Sequence, residues 1–410
     1  MVGEARTPET DTGPLDGLTV LDASRVLVGP FCTMQLGDLG AEVVKVERPG
    51  TGDQTRGWHP PTYGDSEEAA YYLSVNRNKR SVELDFETEA GREVFRDLAS
   101  EADVVVENFR VGTMEKWDLG YETLRELNPE LVYCKLSGYG EWGPDRDAPA
   151  YDIMMQARGG MMSITGEEDG PPVRIGVALA DIGAGMYATQ AILAALLERE
   201  LGDGVGQKVD VSLLDGQVAW TSYQALNYFA TGESPGRMGS KHPNLAPYQA
   251  FETRDGYVVV AVPSENIWPK FCTAIDREDL VDDPRYETNA DRVDHLDELE
   301  ATLAEELGDY DTDELLSVLE EHGVPASDVR NMAEVFDDPQ VQARGMLERV
   351  DHPTAGEVKM PGSPMHLSRT PTCVERYPPL LGEHTEEVLH EYGYEDADVE
   401  RLREAGAFGE

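Results

Sequence analysis

Short runs of β-branched and aliphatic residues recur through the first half of the chain, each followed by a segment with apolar residues at helical spacing. Residues 17–24 read as a strand, 30–39 as a helix carrying Met34 and Leu36, and 42–47 as a second strand. An irregular Gly- and Pro-rich passage runs from Pro49 to Asp65. Strand 81–85, helix 88–100, strand 103–107, helical turns around 112–127 and strand 131–137 follow. Such alternation implies a parallel sheet covered by helices on both faces. The pattern is α/β and Rossmann-like. The first strand, however, runs out into Leu21-Asp22-Ala23-Ser24-Arg25 and not into a Gly-x-Gly-x-x-Gly turn, so NAD and FAD find no support.

Further along, an Ala/Leu-rich helix is predicted over 182–200, a turn-rich hinge over Gly202–Gly206, a strand over 207–212 and another helix to about 230. From Phe251 to Gly323 the pattern changes to strand Tyr257–Val262 with acidic helices, which reads as a smaller α+β domain. Helix 294–308 carries heptad-like charges that fit a solvated acidic face. Residues 340–410 hold Pro-rich connections and one late helix, 384–393.

Charge changes the picture most. Eighty acidic residues against thirty-four basic ones give a net charge of −46. Self-repulsion on that scale is tolerable where molar salt shortens the Debye length to roughly 3 Å, which points to a high-salt cytoplasm. The regular apolar segments and the Trp and Tyr content argue against an acidic disordered chain. No basic stripe exists to neutralise phosphates of a nucleic acid. Cys32, Cys134, Cys272 and Cys373 form no Cys-x-x-Cys or zinc pattern and read as buried thiols of a reducing compartment, with no metal site. The polar, acidic N-terminus has no apolar signal core, and no stretch is read as long enough to span a bilayer, so the expectation is a soluble, cytoplasmic protein without membrane partners.

The segment from Tyr151 to Asp181 concentrates candidate chemistry. Tyr151-Asp152 is followed by Gln156-Ala157, by Thr165-Gly166 and Gly170-Pro171-Pro172, and by Asp181 just before the Ala/Leu-rich helix. A carboxylate there has two possible roles. It can cap the helix by accepting a hydrogen bond from a first-turn amide. It can equally be a nucleophile, favoured by the positive end of the helix and reachable because Gly183 and Gly185 stand close by. Local sequence leaves both open.

The order of these motifs resembles the class III CoA-transferase family, of which formyl-CoA transferase and carnitine CoA-transferase are members. The likeness extends to Leu21-Asp22 through Gly29-Pro30, Val43 to Arg48, Asn78 to Asp85, Glu107-Asn108-Phe109-Arg110, Ala246 to Phe251 and Leu381-Gly382-Glu383-His384-Thr385. The resemblance implies an enzyme with no tightly bound cofactor that takes coenzyme A thioesters as substrates, with Asp181 as nucleophile. It implies a large domain begun by residues 1–225, a small domain with linkers over 226–335, and a segment 336–410 that returns to the large domain. It also implies a homodimer of interlocked rings, with linkers near 200–230 and 325–345 threading the partner.

CoA contacts implied by the resemblance fall on Leu27, Val28, Arg48, Leu84, Asn108, Phe109, Arg110 and Lys116, and Pro149 stands where formyl-CoA transferase has a basic residue. The acyl pocket falls on Arg25, Trp58, Tyr71, Tyr151, Gly239, Lys241 and His242. Departures from the formyl type at Arg25 and Leu27, and a loop with Gly239 alone in place of consecutive glycines, imply a different acid. Cations at Arg25, Lys241 and His242 suit a small dicarboxylate, with succinyl-CoA as donor and mesaconate as acceptor. Citramalate, oxalate and carnitine types are the alternatives. The α-methylacyl-CoA racemases share the fold and the Asp but use a His where this chain has Tyr151, whose ordinary pKa of about 10 suits neutral-pH proton abstraction poorly. A non-catalytic acyl-CoA-binding protein is the reading from outside enzymology.

Overall fold

The computed structural model describes residues 12–409. These divide into two compact units, one comprising residues up to Gly160, Ile175–Ser222 and the chain from Pro339 onward, the other Met161–Arg174 and Tyr223–Asp338.

The first unit is built on β1 (Thr19–Asp22), β2 (Glu42–Glu47), β3 (Lys79–Glu83), β4 (Val104–Glu107), β5 (Val132–Ser137) and β6 (Lys208–Ser212). All neighbours pair in parallel, in the order β3-β2-β1-β4-β5-β6. Because strand residues alternate between faces, Leu21, Val44 and Val105 point to one side and Val20, Val43, Val104 and Val106 to the other. Both sides are covered, so every residue of β4 is buried. On the first side lies helix Glu89–Glu101, opened by Thr88, whose hydroxyl accepts the Gly91 amide at 3.1 Å. Its Val94, Phe95, Leu98 and Ala99 form the buried stripe. On the other side lie helices Val28–Asp38 and Leu179–Leu201.

The last part of the chain packs on β3. Backbone bonds run from Asn78 to the Arg376 carbonyl (3.0 Å), from His384 to that of Ser81 (3.0 Å) and from Asp85 to that of Ala407 (2.7 Å). The Arg80 guanidinium reaches Glu387 and Glu391 at 3.2 and 2.9 Å. Two helices, Thr385–Glu391 and Asp396–Glu404, stand where the pattern predicts one, and Val388, Leu389 and Val399 enter the core beside Val82 and Phe95.

Leu179–Leu201 corrects another expectation. With 23 residues and a mean hydropathy of 1.3 over its most apolar window, it is long and apolar enough to cross a membrane by length and composition. Half of that window is buried inside the protein, where Ala180, Ala184, Ala188 and Ile192 pack with Val28, Cys32 and Leu36. Gly183 and Gly185 also have a different role from the expected one of admitting a substrate. A Cβ on Gly185 would stand 2.9 Å from the Val28 carbonyl oxygen and 3.0 Å from the Phe31 ring, and one on Gly183 would stand 2.8 Å from the Trp220 ring. These glycines let helices approach one another.

The second unit carries a small antiparallel sheet of β7 (Tyr248–Glu252), β8 (Tyr257–Ala261) and β9 (Ala326–Asp328), in that order. Phe251, Val258 and Val260 pack against Trp268 and Phe271, and against Leu299, Leu303, Leu315 and Leu319 of the two acidic helices Leu296–Leu307 and Thr312–Glu321. Met161–Arg174, which the pattern leaves in the large domain, joins this unit because Arg237 donates to the Gly170 carbonyl at 2.7 Å and the Gly239 amide to that of Gly166 at 2.9 Å. The single helix predicted to about 230 is two, Leu213–Trp220 and Ser222–Thr231, broken where Ser222 takes a left-handed φ of 42°. Cys32, Cys134 and Cys272 are buried and unpaired, while Cys373 is only half-buried.

Candidate active site

The strand order reverses direction between β1 and β4, and in open parallel sheets this opens a crevice beyond the carboxyl ends of the strands. The residues that follow those ends here are Ala23 to Val28 after β1, Arg48 after β2, Leu84 after β3, Asn108 to Arg110 after β4 and Gly138 after β5. They line two adjoining clefts of about 470 and 460 Å³.

A buried charge network holds the β1 turn. Asp22 accepts from the Ser24 amide (3.0 Å) and hydroxyl, from Thr33 Oγ1 (2.7 Å) and from Lys79 Nζ (2.9 Å). Burial alone would raise the Asp22 pKa, but the ammoniums of Lys79 and Lys45 and the two hydroxyls hold it well below the usual carboxylate range. Burial brings Lys79 down to about 8 against the opposing pull of Asp22. Asp53 accepts from Lys45 Nζ (3.1 Å) and from the Val26 amide (3.2 and 3.1 Å). Val26 has φ 72°, a strained conformation for a β-branched residue that the Asp53 contacts hold in place. Beyond Val26, the amides of Leu27, Val28 and Gly29 find no acceptor among the described residues, as expected at the start of helix Val28–Asp38.

Asp181 opens into the second cleft together with Leu27, Val28, Asn108, Lys116 and Tyr151. It is the third residue of helix Leu179–Leu201, and the cap lies elsewhere. Asp152, from the start of helix Asp152–Arg158, places one carboxylate oxygen 2.8 Å from the Ala180 amide and 3.5 Å from that of Asp181. The other oxygen accepts from Gln156 Nε2 at 2.7 Å. The buried Gln156 is fixed in turn by the Ile175 amide at 2.9 Å and the Val177 carbonyl at 3.3 Å. Helix capping, one of the two roles open to Asp181, is thus carried out by Asp152. The Asp181 carboxylate accepts no hydrogen bond among the described residues. Burial, with repulsion from Asp152, pushes its pKa up to about 7.

Cations around the clefts are unusually free. Arg25, Arg48, Arg110 and Lys116 have no carboxylate partner among the described residues, although most other basic residues of this acidic chain are paired, as in Arg77–Asp38 and Lys135–Glu107. Arg25 lies over the Phe109 ring at 5.0 Å and is tied to Asn108 through its own backbone, at 2.9 and 2.7 Å. Arg48 and Leu84 line the first cleft, Leu27, Val28, Asn108 and Lys116 the second, and Arg25, Phe109 and Arg110 both. Arg146, which belongs to none of the motifs, lines the second cleft beside Pro149.

Of the expected acyl-pocket residues, Tyr151 lines the second cleft and is largely exposed. Tyr71 and Trp58 make an edge-to-face pair with ring centroids 5.0 Å apart. Burial and then the charges of Asp181 and Asp152 push the Tyr71 hydroxyl up to about 12, which places it in the field of Asp181. Gly239, Lys241 and His242 belong to the second unit. Lys241 is not a spare cation, because Glu300 holds it at 2.7 Å. His242 is stacked on Tyr223, and its Nδ1 accepts the Asn244 amide at 3.1 Å. Among the described residues no group of three or more His, Cys, Asp or Glu could hold a metal ion.

Residues 15–385 match the model of CoA-transferase family III. This chain belongs to that family. It is 42% identical over 405 residues to a human succinyl-CoA:glutarate CoA-transferase, covering 98% of this chain and 92% of that one. It is 44% identical over 389 residues to a succinyl-CoA:mesaconate CoA-transferase of Haloarcula hispanica, covering 93% and 97%. The crystal structure of a CAIB/BAIF family protein from Brucella suis superposes with a TM-score of 0.83 at 42% identity, covering 93% of this chain and all of that one. The chain is therefore a transferase enzyme, and the readings as a non-catalytic binder or a racemase give way. Asp152 and Gln156 both stand in the motifs of this family III member, but their joint support under Asp181 is not read from them; beyond the motifs its sequence signal is a polar pair at i, i+4 spacing at the start of a short helix.

Proposed function

We propose that this transferase carries CoA from succinyl-CoA to a small dicarboxylic acid, with mesaconate as the acceptor, and that Asp181 is the covalent nucleophile. One observation carries the reading. The Asp181 carboxylate, relieved of capping by Asp152 and without a hydrogen-bond partner among the described residues, faces a cleft rimmed by Arg25, Arg110 and Lys116, which have no carboxylate partner among those residues. In the reaction, an Asp181 oxygen attacks the thioester carbonyl and the CoA thiolate leaves, giving a mixed anhydride. The thiolate then attacks the aspartyl carbonyl, which releases succinate and forms an aspartyl-CoA thioester. The acceptor carboxylate attacks that thioester, and the returning thiolate takes the new acyl group and frees Asp181. Each tetrahedral step develops an oxyanion, for which the free amides of Leu27, Val28 and Gly29 are suitable donors.

CoA presents a diphosphate and a 3′-phosphate, which Arg48, Arg110 and Lys116 would receive as charge-assisted hydrogen bonds. With Lys241 held by Glu300, the distal carboxylate of the acid falls to Arg25. Mesaconate is supported by the Haloarcula relative's name, and the −46 charge supports a high-salt cytoplasm. Glutarate is the second reading, because the human relative carrying that name matches over 98% of this chain. A homodimer is part of the proposal. Helix Ser222–Thr231 buries none of its residues yet carries Tyr223, Leu226, Tyr228 and Phe229, an apolar face that a second copy would cover.

The test is chromatography of CoA thioesters after incubating the protein in molar KCl with succinyl-CoA and mesaconate, glutarate or citramalate. Mesaconyl-CoA formed with equimolar loss of succinyl-CoA supports the proposal, glutaryl-CoA in its place shifts the acceptor, and no new thioester from any acid overturns it.

A further inference from the structure

We propose that Asp152 is a positioning residue of the transfer reaction: one carboxylate oxygen pins the backbone that carries Asp181, and its negative charge, held in place by Gln156, is set against Asp181 and tunes its reactivity. The inference rests on the reading of Asp181 as the nucleophile.

The geometry assigns each atom a task. Oxygen Oδ1 of Asp152 accepts the amides of Ala180 and Asp181, so the helix start is anchored from a different helix, 28 and 29 residues earlier in the chain. Oxygen Oδ2 accepts from Gln156 Nε2 at 2.7 Å. Gln156 cannot turn its amide over, because its Oε1 accepts from Ile175 and its Nε2 also donates to the Val177 carbonyl. With a donor fixed opposite Oδ2 and a donor opposite Oδ1, position 152 needs a group that accepts on both sides, which an ionised carboxylate supplies and an amide does not. A neutral Ser or Asn would suffice for a cap alone. A carboxylate demanded on both faces, set against a second carboxylate, is a local conflict of the kind found at functional sites.

The groups around Asp181 leave Asp152 as its main electrostatic partner. From helix Ala70–Leu73 comes Tyr71, uncharged and itself pushed up by Asp181. The cleft contributes Tyr151, the cations Arg25, Arg110 and Lys116, and the pair Arg146–Asp147 at 3.6 Å, yet burial and Asp152 are what move Asp181 to about 7. A carboxylate held above the ordinary range attacks a thioester more readily, once ionised, than an ordinary one.

The experiment exchanges the two partners. Asp152→Asn with Gln156→Glu restores donor-to-acceptor pairing between the positions and the bond from Ile175, gives up the 3.3 Å bond to the Val177 carbonyl, and moves the negative charge away from Asp181. The readout is exchange of isotopically labelled succinate into succinyl-CoA in molar KCl, as a function of pH. Wild type is expected to show an acidic limb near pH 7. In the double variant the limb moves down by at least about half a pH unit, and the plateau rate falls roughly tenfold to a hundredfold, while KM for succinyl-CoA changes less than about twofold. A limb that stays at the wild-type pH in a folded double variant overturns the proposal and leaves Asp152 a helix cap only. Should the double variant fail to fold, Asp152→Asn alone keeps an oxygen with the same reach to the Ala180 amide without the charge and is read by the same criterion. Asp181→Asn is run alongside: exchange that survives it sinks the nucleophile itself, whereas its loss with an unmoved limb sinks only the role of Asp152.

Discussion

Replacing Asp181 by Asn separates chemistry from folding in one variant. The side chain keeps its shape, and the helix keeps its cap, because the Ala180 amide is bound by Asp152 at 2.8 Å. What changes is a carboxyl whose pKa rises on folding from an ordinary 3.8 to about 7 through burial and the Asp152 charge. The folded state therefore holds this proton more tightly than the unfolded one. The wild-type protein loses stability as pH climbs from the unfolded value through the folded one, and the full cost is reached above pH 7. A rise of about three pKa units at about 1.4 kcal/mol each corresponds to roughly 4 kcal/mol, an upper bound for a half-buried group. Asn at 181 removes that penalty. Denaturant unfolding in molar KCl should show variant and wild type alike near pH 4 and the variant the more stable at pH 8, by up to about 4 kcal/mol. Labelled-succinate exchange should meanwhile fall by on the order of 10³-fold or more, as expected for loss of a covalent nucleophile. A variant destabilised by about 1 kcal/mol at every pH and still active would refute the reasoning and return Asp181 to the role of a cap.

Arg110→Ala and Lys116→Ala should each raise KM for the CoA thioester by about tenfold, the equivalent of one charge-assisted hydrogen bond, with kcat nearly constant in steady-state assays. Lys241→Ala should leave KM for the acceptor acid within about twofold and cost no more than about 1 kcal/mol in denaturant unfolding, because Glu300 already holds that ammonium. Thermal unfolding should move steadily upward between 0.1 M and molar KCl as the Debye length falls from about 10 Å to about 3 Å; a melting temperature indifferent to salt would remove the argument for a high-salt cytoplasm. Light scattering coupled to size exclusion should give twice the 45.2 kDa of one chain, and Phe229→Asp should shift it toward a single chain.

How much of this was legible in the sequence depended on whether a signal was local. The strands β1, β2, β4 and β5 announce themselves as valine and leucine runs because a sheet covered on both faces needs apolar residues on both. The pattern predicts β3 over 81–85 and it lies at Lys79–Glu83, since its first two residues are charged and buried, Lys79 against Asp22 and Arg80 against Glu42. No hydrophobic pattern reports a lysine in a core. Asp181 stood out by its motif and its place before a helix, but the residue that decides between its two roles is Asp152, which only the fold brings to it. The same distance effect explains Lys241, an available cation by its motif, whose partner Glu300 lies 59 residues on. Gly183 and Gly185 read as sites where a substrate comes close, and the structure places the Trp220 ring and the helix Val28–Asp38 there instead.

The closing contribution of the C-terminal segment to β3 has a consequence for how the chain is made. During synthesis β1 to β3 leave the ribosome early, whereas the residues that bond to β3 and its flanks, from Arg376 to Ala407, come nearly three hundred residues later. At 5–20 residues per second that interval lasts roughly 15 to 60 s. The second unit is translated within it and draws its core from Ala246 to Val324, a contiguous stretch able to close as it emerges. The first unit has to wait. For that time the outer edge of β3 and the apolar surface later covered by Val388, Leu389 and Val399 stand open, which makes this flank the part of the nascent chain most in need of a chaperone.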